Sequence, residues 1–167
     1  ATLDVLGITP EIQEYRDKGI ICDLFEGNAP YRARYITPDY EVFMKQGSKF
    51  LEIKPAKDIW EATTNLLILY NHVPSITTYP VYLGNLDTLL EPYIKDEEEA
   101  YKAIKLFLLQ IDRTITDSFC HANLGPHKTK AGEMIMRATA ELNTMTPNLT
   151  LKYDEEVTPD DFEVLAI

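Results

Sequence analysis

The sequence predicts an α/β fold that is mostly helical, and three features carry that reading. Apolar residues recur at helical spacing over 58–71, 96–118 and 128–145. Asn148 to Tyr153 instead alternates with period two, the mark of a half-buried strand. Capping residues, prolines and glycines stand where such helices must start and stop. With 167 residues, 45% of them hydrophobic and 26% charged, the chain is long enough for one substantial core.

The elements follow in order. Thr9 is placed to cap a helix whose first turn holds Pro10 and whose stop is Gly19. After turn chemistry at 26–30, a second short helix is expected from Thr37-Pro38 to Gln46-Gly47, then an extended piece at Phe50–Ile53. Asp58 caps a helix bearing Ile59, Ala62, Thr63, Leu66, Leu69 and Tyr70. Pro74 and Pro80 bracket Ser75–Tyr79, which reads as extended. Gly84 to Tyr93 reads as helical.

The strongest helix, 96–118, opens on Asp96 to Glu99, which suits the positive end of the helix dipole. Tyr101, Ile104, Leu108, Ile111 and Ile115 form its stripe, broadened by Leu106 and Phe107. The helix 128–145 turns Ala131, Met134, Ile135, Ala138 and Leu142 inward. A last helix is expected after Thr158-Pro159, with Thr158 as its capping hydroxyl and Phe162 and Leu165 opening an apolar face. That face starts close to Ile167, so the chain reads as an internal piece of a larger enzyme.

Composition narrows the function. The 27 acidic against 16 basic residues give a net charge of -11, which repels nucleic acid and anionic lipid. No stretch reaches the length of a membrane span, and Cys22 and Cys120 do not make a disulfide framework, so a cytoplasmic setting is expected. Cys22, Cys120, His72, His121 and His127 lack metal-ligand spacing, and no metal is expected. Nothing marks a cysteine nucleophile turn either.

Cys120-His121 stands where a long helix hands over to a strand-like segment. His121 and Asn123 would share one side of such a strand, and Asp117 could orient the imidazole if the preceding helix reached it. These residues read either as a polar pocket wall or as a hydrogen-bonded core network. Cys120 reads equally as a small buried apolar residue. Arg113 and Asp117 could simply pair along the helix, and Asp87 reads as a cap rather than an acid catalyst.

Several blocks in order add a resemblance. Leu83-Gly84-Asn85-Leu86-Asp87, then Glu91-Pro92-Tyr93 before an acidic helix start, resembles a block of the glycyl radical enzymes. Asn123-Leu124-Gly125 resembles the strand and glycine turn that follow there. Pro147-Asn148-Leu149-Thr150-Leu151-Lys152-Tyr153 and Thr158-Pro159-Asp160-Asp161-Phe162 resemble the next strand and helix. The wording from Asp112 to Pro126 is most similar to the YjjI-type branch.

The resemblance implies a ten-stranded α/β barrel, with 81–167 as its start and 1–80 as a helical N-proximal region of one partial domain. It implies a backbone glycyl radical, installed by an activating enzyme that uses S-adenosylmethionine and an iron–sulfur cluster. A cysteine thiyl radical would then abstract hydrogen from a small-molecule substrate. Arg16-Asp17-Lys18-Gly19-Ile20 departs from the family's Arg-Val-x-Gly-Tyr loop and reads as a helix stop. The family's catalytic cysteine lies downstream of the Pro-Asn-Leu strand, which places it beyond Ile167, so no catalytic residue is named. The resemblance favours Cys120, His121, Asn123 and Asp117 as substrate-binding residues, and a homodimer as the assembly to look for.

Two rival readings remain: an acidic helical interaction module without chemistry, and a relative of anaerobic ribonucleotide reductase. Two structural expectations follow from the barrel reading. Asn148–Tyr153 should have an unpaired edge, and the segment after Thr158 should expose a large apolar patch.

Overall fold

Helix formation along this chain follows its caps and its apolar spacing. The computed structural model describes residues 8–20, 36–76, 80–114 and 120–167. The chain divides into two compact units, Ala1–Arg34 and Tyr35–Ile167. In the first, α1 (Pro10–Asp17) begins where the Thr9 hydroxyl accepts from the Ile12 amide, and Gly19 follows in the left-handed region at φ 70°. Cys22 and Asp117 lie outside the described residues.

The second unit holds everything else. Its helices are α2 (Tyr40–Gln46), α3 (Ile59–Ile76), the short α4 (Leu86–Leu90), α5 (Glu97–Arg113), α6 (Lys130–Leu142) and α7 (Asp160–Glu163). Its strands are β1 (Val81–Asn85), β2 (Cys120–Leu124) and β3 (Asn148–Leu151). Tyr40, Met44, Ile59, Ala62, Leu66 and Tyr70 belong to the same core as the sheet.

The sheet is parallel throughout, in the order β1-β2-β3. Ile36 adds a parallel bridge on the other side of β1, through Ile36 N–H to Pro80 O and Tyr82 N–H to Ile36 O, both 2.9 Å. Four parallel positions therefore follow one another in chain order, each joined to the next through helices. Doubly wound sheets reverse their order and cover both faces with helices. Here the order is monotonic and the packed side chains lie on one face.

That face is Val81, Leu83, Cys120, Ala122 and Leu124, all at most 1% exposed, with Leu149 and Leu151 partly covered. Ala100, Ala103, Ile104, Phe107, Leu108 and Ile111 of α5 and Ala131, Ile135 and Ala138 of α6 join them in one cluster. Full burial of a side chain such as Leu108 contributes about 1.5–3 kcal/mol.

Several expectations need correction. β1 occupies part of the stretch read as helical, because Leu86–Leu90 is too short to carry the helix back to Gly84. α3 runs through Pro74 to Ile76, since a proline in a last turn removes only one late hydrogen bond. Phe50–Ile53 is a turn: Ser48 and Ile53 exchange backbone hydrogen bonds of 2.8 and 2.9 Å, with Glu52 at φ 55°. α5 stops at Arg113, and Leu106 is 49% exposed on its outer side.

Near the C-terminal residues, Thr158 does not cap α7. Its hydroxyl donates to Pro126 O at 2.9 Å and accepts from Asp154 N–H at 3.0 Å. The expected apolar patch is also reduced. Phe162 is fully buried, because α6 carries Gly132 at the contact and a Cβ there would stand 2.7 Å from the ring. Leu165 packs partly on the core, leaving Val164 and Ile167 exposed. The outer edge of β3 has no partner strand among the described residues, as expected.

Candidate functional site

In a parallel sheet, residues in register share a face. Tyr82 pairs with His121 and His121 with Asn148, while Asn123 pairs with Thr150. These five side chains make the face opposite the packed one. Tyr82, His121 and Asn123 are half-buried, and Asn148 and Thr150 are exposed. Parallel sheets ordinarily bury both faces under apolar side chains. This one presents phenol, imidazole, two amides and a hydroxyl instead.

β1 reaches this face through a bulge. Between the Tyr82–His121 and Asn85–Asn123 pairs, β1 spends one residue more than β2. Gly84, at φ 70°, is the natural residue to absorb it, since a side chain there would be strained. The bulge puts Asn85 in register with Asn123. Asn85 Oδ1 accepts from Lys152 Nζ at 2.7 Å. Lys152 follows β3, so its side chain crosses the C-terminal end of β2 to reach β1.

Behind this edge, two acidic side chains fix the turn from β2 into α6. Asp87 is fully buried and accepts from Thr88 N–H at 2.8 Å, Gly125 N–H at 2.7 Å and Thr129 Oγ1 at 3.3 Å. Glu91 accepts from the Lys130 and Ala131 amides at 3.3 and 2.7 Å, closing the N-terminal end of α6. Asp87 is thus a strut of the fold, tying α4 to the strand exit. A cleft of about 450 Å³ opens beside the C-terminal end of β1, bordered by Thr37, Asp39, Gly84, Asn85, Thr88 and Tyr93. In α/β sheets, the carboxyl ends of the strands are where ligands bind.

The structure divides the residues singled out from sequence. His121 and Asn123 do share one side of a strand, on the open face. Cys120 lies on the other side, 1% exposed. Burial, partly offset by a hydrogen bond from Tyr70, pushes its thiol up to about 12. Such a thiol stays protonated at neutral pH, so it is neither a ready nucleophile nor a ready metal ligand. Arg113 pairs with its neighbour Asp112.

Tyr82, Asn85, Asn148, Thr150 and Lys152 were not singled out. Asn148, Thr150 and Lys152 were legible as the polar phase of the alternating strand. Asn85 was hidden in a stretch whose glycine and leucines imitate a helix, and Tyr82 just before it was assigned to no element. Burial raises the Tyr82 phenol above its ordinary pKa, so it faces the site as a neutral hydroxyl.

A monotonic parallel sheet with one packed and one polar face defines the class of structure. The family model described as "Glycyl radical enzyme YjjI-like" matches residues 1–167. The chain is 56% identical over 163 residues to an "Uncharacterized protein" of Haemophilus influenzae, covering 98% of this chain and 32% of that protein. It is 50% identical over 153 residues to "Uncharacterized protein YjjI" of Escherichia coli strain K12, covering 90% of this chain and 30% of that one. The chain belongs to the YjjI-like glycyl radical enzyme family. It spans about a third of the length of these curated relatives. Among the described residues, no helix is long and apolar enough to cross a membrane.

Proposed function

We propose that this chain forms part of the barrel wall of a glycyl radical enzyme acting on a small substrate by hydrogen abstraction. One observation carries the reading: four parallel positions in chain order, with every packed side chain of the sheet on one face and polar side chains on the other. A barrel built this way turns its helices outward and its second face inward. Tyr82, His121, Asn123, Asn148 and Thr150 would then line the cavity, binding and orienting the substrate by hydrogen bonds and excluding bulk water.

The described glycines do not fit the radical position. Gly19 ends α1, Gly84 sits at the β1 bulge, and Gly47 and Gly125 hold turns, the last three at φ 70–73°. Gly132 is packed beneath Phe162. Cys120 faces the helices, away from the polar side chains. No chemical step is therefore assigned to these groups. The radical glycine, the catalytic cysteine and the surface for an activating enzyme belong, on this proposal, to the length of the relatives that this chain does not span.

The test uses the full-length protein with Asn123→Cys and, as a surface control, Glu98→Cys. A cavity wall admits iodoacetamide to position 123 but excludes a maleimide carrying a long polyethylene glycol chain, whereas position 98 reacts with both. Equal reaction of position 123 with the bulky reagent would overturn the reading.

A further inference from the structure

The charge pattern along the polar face points to the kind of substrate it takes. In this acidic chain, Lys18, Lys45, Lys102, Lys105, Lys128 and Lys130 each pair with a carboxylate. Lys152 does not. Its ammonium is held at 2.7 Å by the amide oxygen of Asn85, a neutral acceptor, and no carboxylate stands within ion-pair distance of it among the described residues. The five side chains of the face itself carry no acid. A cation oriented by a neutral partner keeps its whole charge for a ligand, while a paired one has spent it.

The placement is specific as well. The side chain of Lys152 spans from the end of β3 to the end of β1, across the carboxyl end of β2. There the bulge at Gly84 has brought Asn85 level with Asn123. The ammonium and the two amides can therefore offer N–H donors on the same side, next to the cleft bordered by Gly84 and Asn85. Donors converging with one positive charge that pairs with no described carboxylate fit a carboxylate or a phosphate, although Asp39 and Glu41 border the same cleft on its α2 side.

We infer that Lys152, oriented by Asn85 beside Asn123, receives an anionic group of the substrate at the C-terminal end of the polar face. This rests on the reading of that face as the substrate wall. The side chains farther down the strands, Tyr82, His121 and Asn148, would then contact the remainder of the molecule, with Thr150 beside Asn123. The carboxylate and phosphate sources share one recognition chemistry and differ in the probe that binds.

Calorimetric titration of the full-length protein with lactate and glycerol phosphate, against lactamide and glycerol as uncharged counterparts, tests the assignment. At least one anion is expected to bind more tightly than its neutral counterpart. K152M should weaken that binding tenfold or more, and K152R should recover most of it, with thermal melting of both variants near the parent. Binding of lactate alone assigns a carboxylate, and of glycerol phosphate alone a phosphate. Anion binding unchanged in K152M, neutral probes binding as well as anions, or no anion binding at all would overturn the inference. Its failure is separable from that of the wall reading. Position 123 can still exclude the bulky maleimide when K152M has no effect, in which case only the anion assignment falls.

Discussion

The two faces of one small sheet have opposite fates. Along β2, alternate residues Cys120, Ala122 and Leu124 are sealed against helices, while His121 and Asn123 between them stay partly open. Strand propensity and length are shared, so the difference comes from what covers each face. The packed face obeys volume and transfer free energy: Cys120 and Ala122, both small, are sealed in the same cluster as α5 and α6. The open face obeys hydrogen bonding and charge. Stability should therefore reside on one side of each strand, and ligand contact on the other.

The comparison can be broken most sharply by moving one polar group across β2. Ala122→Asn buries an unpartnered amide where no space was left, and a loss of about 3–5 kcal/mol is expected in urea unfolding. A loss below about 1 kcal/mol would mean that the packed face is not sealed.

A second test concerns how β3 is held in register. Asp112, near the end of α5, accepts from the Met145 and Thr146 amides at 2.8 and 2.9 Å, just before β3. The Thr146 and then the Met145 amide hold its carboxyl below its ordinary value of 3.8. A carboxyl lowered by folding stabilises the fold when ionised. Its contribution is whole above about pH 5 and fades as pH falls through 3.8 toward the lower folded value. Asp112→Ala should cost about 2 kcal/mol at pH 7, with a difference from the parent that shrinks in acid. A pH-independent difference in melting would remove the carboxylate from the account.

The smallest effect is expected on the open face. Asn123→Ala and Thr150→Ala should each change unfolding free energy by under about 0.5 kcal/mol, as surface substitutions do. A cost above about 2 kcal/mol would make that face a core network rather than a wall.

Much of this was readable beforehand where the signal is local. The caps at Thr9 and Asp58 each accept an amide as their positions suggested. The stripe of α5 held from Tyr101 to Ile111, where its residues repeat over successive turns, and Ile115 lies outside the described residues. Short elements failed. The end of β1, Gly84-Asn85, lost to a run of leucines at helical spacing, and Thr158 lost its capping role to Pro126, a partner no local rule reveals. Phe162 was expected in the open because Gly132, distant in sequence, gives no sign of the slot it leaves.

By itself, then, the sequence determined the helical character, the phase of β2 and β3, and the order of blocks shared with the YjjI-like glycyl radical enzyme family. These depend on periodicity and on residue types a few positions apart. Only the tertiary structure decided that Cys120 turns inward while His121 and Asn123 face outward, and that Lys152 meets Asn85. Which side of a strand is covered, and which strand ends become neighbours, depends on packing between residues far apart in the chain. That is a matter of volume and register, which no local pattern encodes.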